Sequence, residues 1–275
     1  MTDFLQRMAA ASYSRCKSAR ELRPAQVLRR GLDELATPRR LTFSGWDLLC
    51  EIKLGSPSEG VIVGASGGDE RERILEQVMH YLRAGAAAIS VLTEPFEFRG
   101  DLLHLAAVSG LSTVPVMRKD FLIDPYQVLE ARVSGADGVL LITRMLDDRT
   151  LRAMLDEARE LGLFVLLEAF DARDLERAGE LLTDEDDPDA VLLGLNARDL
   201  STLELDPERL AALVGQFPAG FRKVAESGLQ TPDDAERLAG LGYDLALVGT
   251  ALMRSERPDR LAAEMLYAGR EARGG

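Results

Sequence analysis

The sequence predicts an α/β fold, a (β/α)8 TIM barrel preceded by an N-terminal helical extension. Three observations predict it. From about residue 47, short runs rich in Val, Ile and Leu alternate with longer amphipathic stretches. The short runs are almost uninterruptedly apolar, as parallel strands buried on both faces are. Eight such units follow one another in roughly 230 residues, close to the ~250 of a closed barrel, and the alternation requires parallel pairing with right-handed crossovers. An open doubly wound sheet is the alternative, but it usually has fewer strands and an early G-x-G-x-x-G loop, which this sequence lacks.

Residues 1–46 form the extension, with helix-like stretches at 3–11 and 24–34 and a turn-rich segment at 36–44 around Pro38. It could cap one mouth of the barrel or form an oligomer contact. The barrel domain is then 47–275, with strands expected at 47–53, 87–92, 114–117, 138–142, 164–168, 190–195, 223–226 and 245–248. Amphipathic helices are expected at 71–83, 147–161, 172–182, 231–241 and 258–269. Asp147, Asp171 and Thr231-Pro232 stand where an N-cap and a first-turn proline belong. Gly85, Gly162 and Gly242 follow their helices as C-terminal caps do. The acidic run 184–189 reads as a solvated loop on the side away from the expected active site. No low-complexity segment and no second domain is expected.

Composition narrows the function. With 33 Lys+Arg against 46 Asp+Glu, the net charge of −13 argues against nucleic acid or an anionic membrane as the main partner. A small anionic ligand is still compatible, because a local site can be positive on an acidic body. Two cysteines are too few for a disulfide framework, and two histidines too few for a His-rich metal site. No metal is therefore expected. The first twenty residues carry charges throughout, and no segment has the ~20 apolar residues needed to cross a bilayer. These features lead to the expectation of a mature cytoplasmic protein.

In a barrel of this kind the active site lies at the C-terminal ends of the strands. Strand 1 ends in Glu51-Ile52-Lys53, whose alternation turns Glu51 and Lys53 to the same side, and Ser56-Pro57 follow closely. Strand 3 runs into Lys119 and Phe121, strand 5 ends in Glu168, strand 6 leads to Asn196 and Arg198, and strand 7 to Glu226-Ser227-Gly228. Strand 8 ends in Gly249-Thr250. One charge at a strand end is ordinarily a cap or a surface ion pair. Two lysines, three glutamates, an asparagine and an arginine on one rim point to chemistry instead. The glycine-bearing turns after strands 7 and 8 expose backbone N–H groups beside helix N-termini, which suits a phosphate.

These residues carry a family resemblance. The stretches Glu51-Ile52-Lys53-Leu54-Gly55-Ser56-Pro57-Ser58, Arg118-Lys119-Asp120-Phe121, Leu195-Asn196-Ala197-Arg198-Asp199-Leu200 and Glu226-Ser227-Gly228 resemble the motifs of indole-3-glycerol phosphate synthase. So do Ser90 to Glu94 with Phe98-Arg99-Gly100, and the closing Val248 to Arg254. The likeness runs from about residue 47 to 257, in order and with compatible spacing.

The resemblance implies a cofactor-free carbon–carbon lyase (a carboxy-lyase) of tryptophan biosynthesis. Its substrate is the phosphorylated 1-(2-carboxyphenylamino)-1-deoxyribulose 5-phosphate. It implies that Lys119 donates a proton to the ketone oxygen and that Lys53 is a second cation at the carboxylate and developing oxyanion. A lysine serves as an acid near neutral pH only where charge and burial tune it. Glu168 would transfer the proton in dehydration. Glu51 and Asn196 would hold the amino nitrogen and ribulose hydroxyls, with Glu226 and Arg198 orienting the network. Pro57, Phe98, Phe121, Leu140, Ile142, Leu200 and Leu203 match the ring pocket, although Leu140 and Ile142 suit plain barrel core equally well. Gly228, Gly249 and Thr250 would hold phosphate, with Ser56 and Ser227 close by.

The sequence also departs from the family pattern. Leu54 and Gly55 replace a second basic residue and an alanine, Ala169-Phe170-Asp171 replaces Val-His-Asp, and Ala197 replaces a second asparagine. The segment before strand 1 shows little of the family's usual extension, which normally helps to cover the ring pocket. A monofunctional enzyme is expected, as monomer or weak homodimer. The alternatives are a paralogue acting on a modified anthranilate, a sugar-phosphate isomerase on the same barrel, and a non-catalytic ligand-binding or scaffold protein. The isomerase would need an acid–base pair such as Cys and Asp at strand ends, whereas Cys50 lies inside strand 1.

Overall fold

The computed structural model describes residues 4–57, 60–62, 69–183, 185–200 and 202–274. Ser58 of the first motif and Asp184 of the acidic run lie outside the described residues. Eight parallel strands close into a barrel: β1 (Asp47–Ile52), β2 (Ala88–Leu92), β3 (Val116–Lys119), β4 (Gly138–Ile142), β5 (Phe164–Ala169), β6 (Val191–Asn196), β7 (Arg222–Glu226) and β8 (Leu245–Val248). Each pairs with its sequence neighbours, and β1 closes the ring with β8 (Cys50 opposite Val248) and with β2 (Cys50 opposite Ile89). The eight expected strands are all present. β3 lies two residues later than expected, because Pro115 has no N–H for the ladder and the pairing of β2 with β3 starts at Val116. The shift makes Lys119 the last residue of its strand rather than part of a loop. After β1, Gly55–Ser56 pairs antiparallel with Gly60–Val61 in a short hairpin that the sequence did not suggest.

The helices are α1 (Phe4–Leu22), α2 (Ala25–Arg30), α3 (Glu70–Ala84), α4 (Leu102–Leu111), α5 (Pro125–Val133), α6 (Asp148–Glu160), α7 (Ala172–Leu181), α8 (Glu208–Leu213), α9 (Pro232–Leu241), α10 (Thr250–Arg254) and α11 (Pro258–Ala272). The caps explain their starts. Asp147 and Asp171 accept hydrogen bonds from the third residue of α6 and α7, and Thr231 with Asp234 forms a capping box on α9. Gly85 and Gly242 end α3 and α9 in the left-handed conformation. No helix among the described residues is long and apolar enough to cross a membrane.

Side chains alternate along each strand between two apolar layers. Leu48, Cys50, Val139, Leu141, Val165 and Leu167 face the helices. Leu49, Met117, Leu140, Leu166, Leu192, Val224 and Leu245 fill the barrel interior. That inner layer continues upward into Phe121, Ile142, Phe170 and three residues of α1: Phe4, Leu5 and Met8. The extension therefore caps the mouth at the C-terminal ends of the strands. A buried polar network fastens it there. Arg15 Nη2 lies 2.6 Å from Asp120 Oδ1 and its Nη1 lies 3.4 Å from Glu94 Oε1, while Gln127 donates to Ser12 at 2.9 Å. Of the two roles expected for the extension, capping a barrel mouth is the one seen here. Its apolar positions, Phe4, Leu5 and Met8, form one helical stripe that does the covering.

Candidate active site

A cavity of about 520 Å³ opens at the C-terminal ends of the strands. All the residues singled out from the sequence line it: Glu51, Lys53, Ser56, Pro57, Phe98, Lys119, Phe121, Leu140, Glu168, Asn196, Arg198, Leu200, Glu226, Ser227, Gly228, Gly249 and Thr250. Ile142 and Leu203 join them. Leu140 and Ile142 are buried in the inner layer as well, so they serve as both barrel core and cavity wall.

The charged centre stands on three strands. Lys119 ends β3, and its Nζ lies 3.4 Å from Glu168 Oε2 on β5 and 3.3 Å from Glu226 Oε2 on β7. Both carboxylates are nearly inaccessible, their side chains 2% and 1% exposed. Lys53 Nζ sits 3.0 Å from Glu51 Oε1, and the Tyr81 hydroxyl donates to the Glu51 carbonyl at 2.8 Å, which secures the end of β1. Burial by itself would lower the pKa of Lys119, but the Glu168, Glu226 and Glu51 carboxylates together push it up. The tuning is thus away from neutrality, and Lys119 stays a cation. Such a donor suits an alkoxide forming at a ketone oxygen, whose own basicity is high. Glu226 is pushed well above the usual carboxylate range, first by burial and then by the Glu168 charge, against the pull of Lys119.

On one side of this centre the wall is aromatic. Phe121 meets Phe4 edge-on at 5.8 Å between centroids and Phe98 at 5.9 Å. Glu94 positions Phe98: fully buried, it accepts from the backbone N–H groups of Phe96 (3.1 Å), Glu97 (2.7 Å) and Phe98 (3.1 Å). Asp120 is similarly surrounded. It accepts from Arg15, Thr93 (2.7 Å), Arg118 (3.2 Å) and the N–H of Phe121 (2.8 Å), so the aromatic wall and the lysine beside it share one rigid support.

On the opposite side are the glycine-bearing turns. Ser227 and Gly228 both take positive φ, 67° and 86°, a concave backbone turn of the kind that presents N–H groups to an anion. Ser227 Oγ donates to Asn196 Oδ1 at 2.8 Å, and the N–H of Arg198 donates to the same oxygen at 2.8 Å. Arg198 also reaches the Leu203 carbonyl at 2.9 Å, which closes the loop after β6 over the cavity. Ser56 Oγ is buried with no partner among the described residues, as a group reserved for a ligand is. Gly249 has a second role. A Cβ there would come within 2.2 Å of Glu51 Oε1, so its bareness makes room for the carboxylate as well as exposing backbone.

Sequence reasoning missed several lining residues. Phe4 and Arg254 reach the cavity from α1 and from the end of α10, and Asp120, though quoted in a motif, received no role. The i, i+1, i+4 spacing of Phe4, Leu5 and Met8 was the available signal for α1. Cys50, set aside for the isomerase alternative because it lies inside strand 1, is fully buried there, where burial pushes its thiol up. It cannot reach a substrate.

The geometry agrees with comparisons to known proteins. Solved barrels resemble the chain in fold. 3-Hexulose-6-phosphate synthase from Salmonella typhimurium matches with a TM-score of 0.63 at 17% identity, over 82% of this chain and 99% of that one. Thiamine phosphate pyrophosphorylase from Pyrococcus furiosus matches with 0.58 at 17%, over 83% and 97%. In sequence, the indole-3-glycerol phosphate synthase of a Parafrankia strain is 43% identical over 81% of this chain and 78% of its own length. That of Nocardioides is 40% identical over 86% and 88%, and that of Mycobacterium leprae 36% over 97% and 90%. The family profile itself matches residues 14–265, a span that begins within α1 and takes in its C-terminal part. With a closed barrel, a lysine between two glutamates at its mouth and this span of sequence agreement, the chain belongs to the indole-3-glycerol phosphate synthase family.

Proposed function

We propose that the cavity converts 1-(2-carboxyphenylamino)-1-deoxyribulose 5-phosphate into indole-3-glycerol phosphate, carbon dioxide and water. The observation that carries this reading is the position of Lys119, held as a cation between Glu168 and Glu226 with an aromatic wall on one side and an anion-binding turn on the other. The substrate has the matching polarity, an aromatic ring at one end and a phosphate at the other.

The ring lies against Phe98, Phe121, Pro57, Leu140 and Leu200, with Phe4 closing the wall. The phosphate sits on Gly228, Gly249 and Thr250, near Ser56 and Ser227. The ribulose ketone then falls beside Lys119. Lys119 donates a proton to the ketone oxygen as the ring carbon bearing the carboxylate attacks the carbonyl carbon. Lys53, steadied by Glu51, pairs with that carboxylate. Loss of carbon dioxide returns the bonding pair to the ring and restores aromaticity. Dehydration follows: Glu168 takes a proton from the methylene next to nitrogen while Lys53, freed of the departed carboxylate, donates a proton to the new hydroxyl, which leaves as water. Asn196 and Arg198 orient the ribulose hydroxyls, and Glu226 fixes Lys119 from below. Each step uses side chains already in contact, so the site provides proximity and preorganised charge.

Purified protein incubated with this substrate should release a product with indole fluorescence. A folded protein that releases none overturns the reading.

A further inference from the structure

Gly194 is a bare position in the interior of β6, two residues before Asn196 and paired across the ladder with Glu168 and Val224. No turn or positive φ requires a glycine there, and in a strand interior glycine costs stability relative to alanine. The neighbours supply the reason. A Cβ built on Gly194 would lie 2.0 Å from Glu226 Oε1, 3.1 Å from its carboxyl carbon and 3.1 Å from a methyl of Leu166. Glu226 Oε1 makes no hydrogen bond with any described residue, while Oε2 faces Lys119. The bare face of Gly194 is thus the floor of a seat that holds the Glu226 carboxyl down in the barrel, beneath the ammonium.

We infer that Gly194 is a positioning residue for the reaction: the space its missing side chain leaves sets where the Glu226 carboxyl lies, and through it the place of Lys119. Ordinary contact begins at 3.4 Å, so a methyl at 194 drives Oε1 away by about 1.4 Å (3.4 less 2.0). The open direction is toward the cavity, where Glu226 would press on Lys119 and move it relative to Glu168. Misplacement on the 1 Å scale can cost about 10²-fold in rate. Phe98 and Phe121 of the ring wall follow β2 and β3, away from the displaced carboxyl, so ring binding is spared.

The inference rests on the reading that Glu226 takes part in the reaction, and a double-mutant cycle separates the two. Gly194→Ala, Glu226→Ala and the double variant are compared for kcat, KM and thermal unfolding. Gly194→Ala should lower kcat roughly 10- to 100-fold with KM within about threefold. In the Glu226→Ala background the same substitution should change kcat less than about threefold, because nothing is left to displace. An equal loss in both backgrounds, or an unaltered kcat in folded Gly194→Ala, overturns the inference. Should Gly194→Ala fail to fold, folding of the double variant locates the clash at Glu226 and supports it. Failure of both assigns the constraint to Leu166 and overturns it. A Glu226→Ala variant with undiminished kcat would instead remove Glu226 from the reaction, a separate result.

Discussion

Truncating Phe4 tests whether α1 is a working wall of the cavity or only a cover. The ring is 4% exposed, sits in the inner apolar layer and meets Phe121 edge-on at 5.8 Å and 76°. Phe4→Ala removes a burial worth about 1.5–3 kcal/mol and an aromatic contact worth about 0.5–1.5 kcal/mol. Most of the burial loss falls on the first turn of α1, because Phe4 is its first residue. The substrate ring loses one face of its wall, about 0.7–1.4 kcal/mol if the aromatic contact is taken as the measure, which corresponds to a three- to tenfold rise in KM. kcat should hold within about twofold, since Lys119, Glu168 and Glu226 stand on β3, β5 and β7 rather than on α1. Steady-state kinetics followed by indole fluorescence read both numbers. A drop in kcat at constant KM, or no change in either, would refute the assignment of Phe4 to the ring wall.

Arg15→Met removes the 2.6 Å bond to Asp120, a charge-assisted contact worth about 2 kcal/mol. Trypsin should then cut within α1 roughly thirty times faster, and an unchanged cleavage rate contradicts the anchoring role. Thr250→Glu should raise KM strongly by placing negative charge at the phosphate turn. It is a cleaner probe than Gly249→Asp, whose Cβ also strikes Glu51, and an unaltered KM argues against phosphate there. Glu226→Gln tests the raised proton affinity of this carboxyl. Because the folded chain holds this proton more tightly than the unfolded chain, stability is lost as pH climbs above the ordinary carboxylate value of 4.5 toward the raised folded one. The variant should therefore gain Tm over the parent above about pH 5, by a margin that widens with pH. A pH-independent difference contradicts it.

The barrel was legible because its signals are local: apolar runs buried on both faces, and helices marked by Asp147, Asp171 and the Thr231–Asp234 box. Helix α4 was not, because Leu102–Leu111 is apolar on nearly every side and lacks a stripe, although Asp101 caps it. For α5 the Asp124-Pro125 start was present and went unread. Of the site, the charged strand ends could be read because the topology obliges strand ends to converge, whatever the distance between them in sequence. Phe4 and Gly194 could not be read in that way. The role of Phe4 depends on a helix folding back over a mouth formed by residues far along the chain. That of Gly194 depends on which atom occupies the place of its missing side chain. Charge was legible only in part. The cations face the cavity as expected, but Lys119 and Lys53 are matched by buried carboxylates at the barrel centre, so the site is a balanced network rather than a simple positive island.

In the proposed reaction Lys119 serves the first bond-forming step, and its removal is the most direct test. Rates of indole-3-glycerol phosphate formation should be measured for the parent and Lys119→Ala at saturating substrate, with folding checked by thermal unfolding. Loss of a positioned general acid predicts a kcat about 10²–10⁴-fold lower in a folded variant. A folded Lys119→Ala that turns over at the parent rate would contradict the assignment of the proton donor.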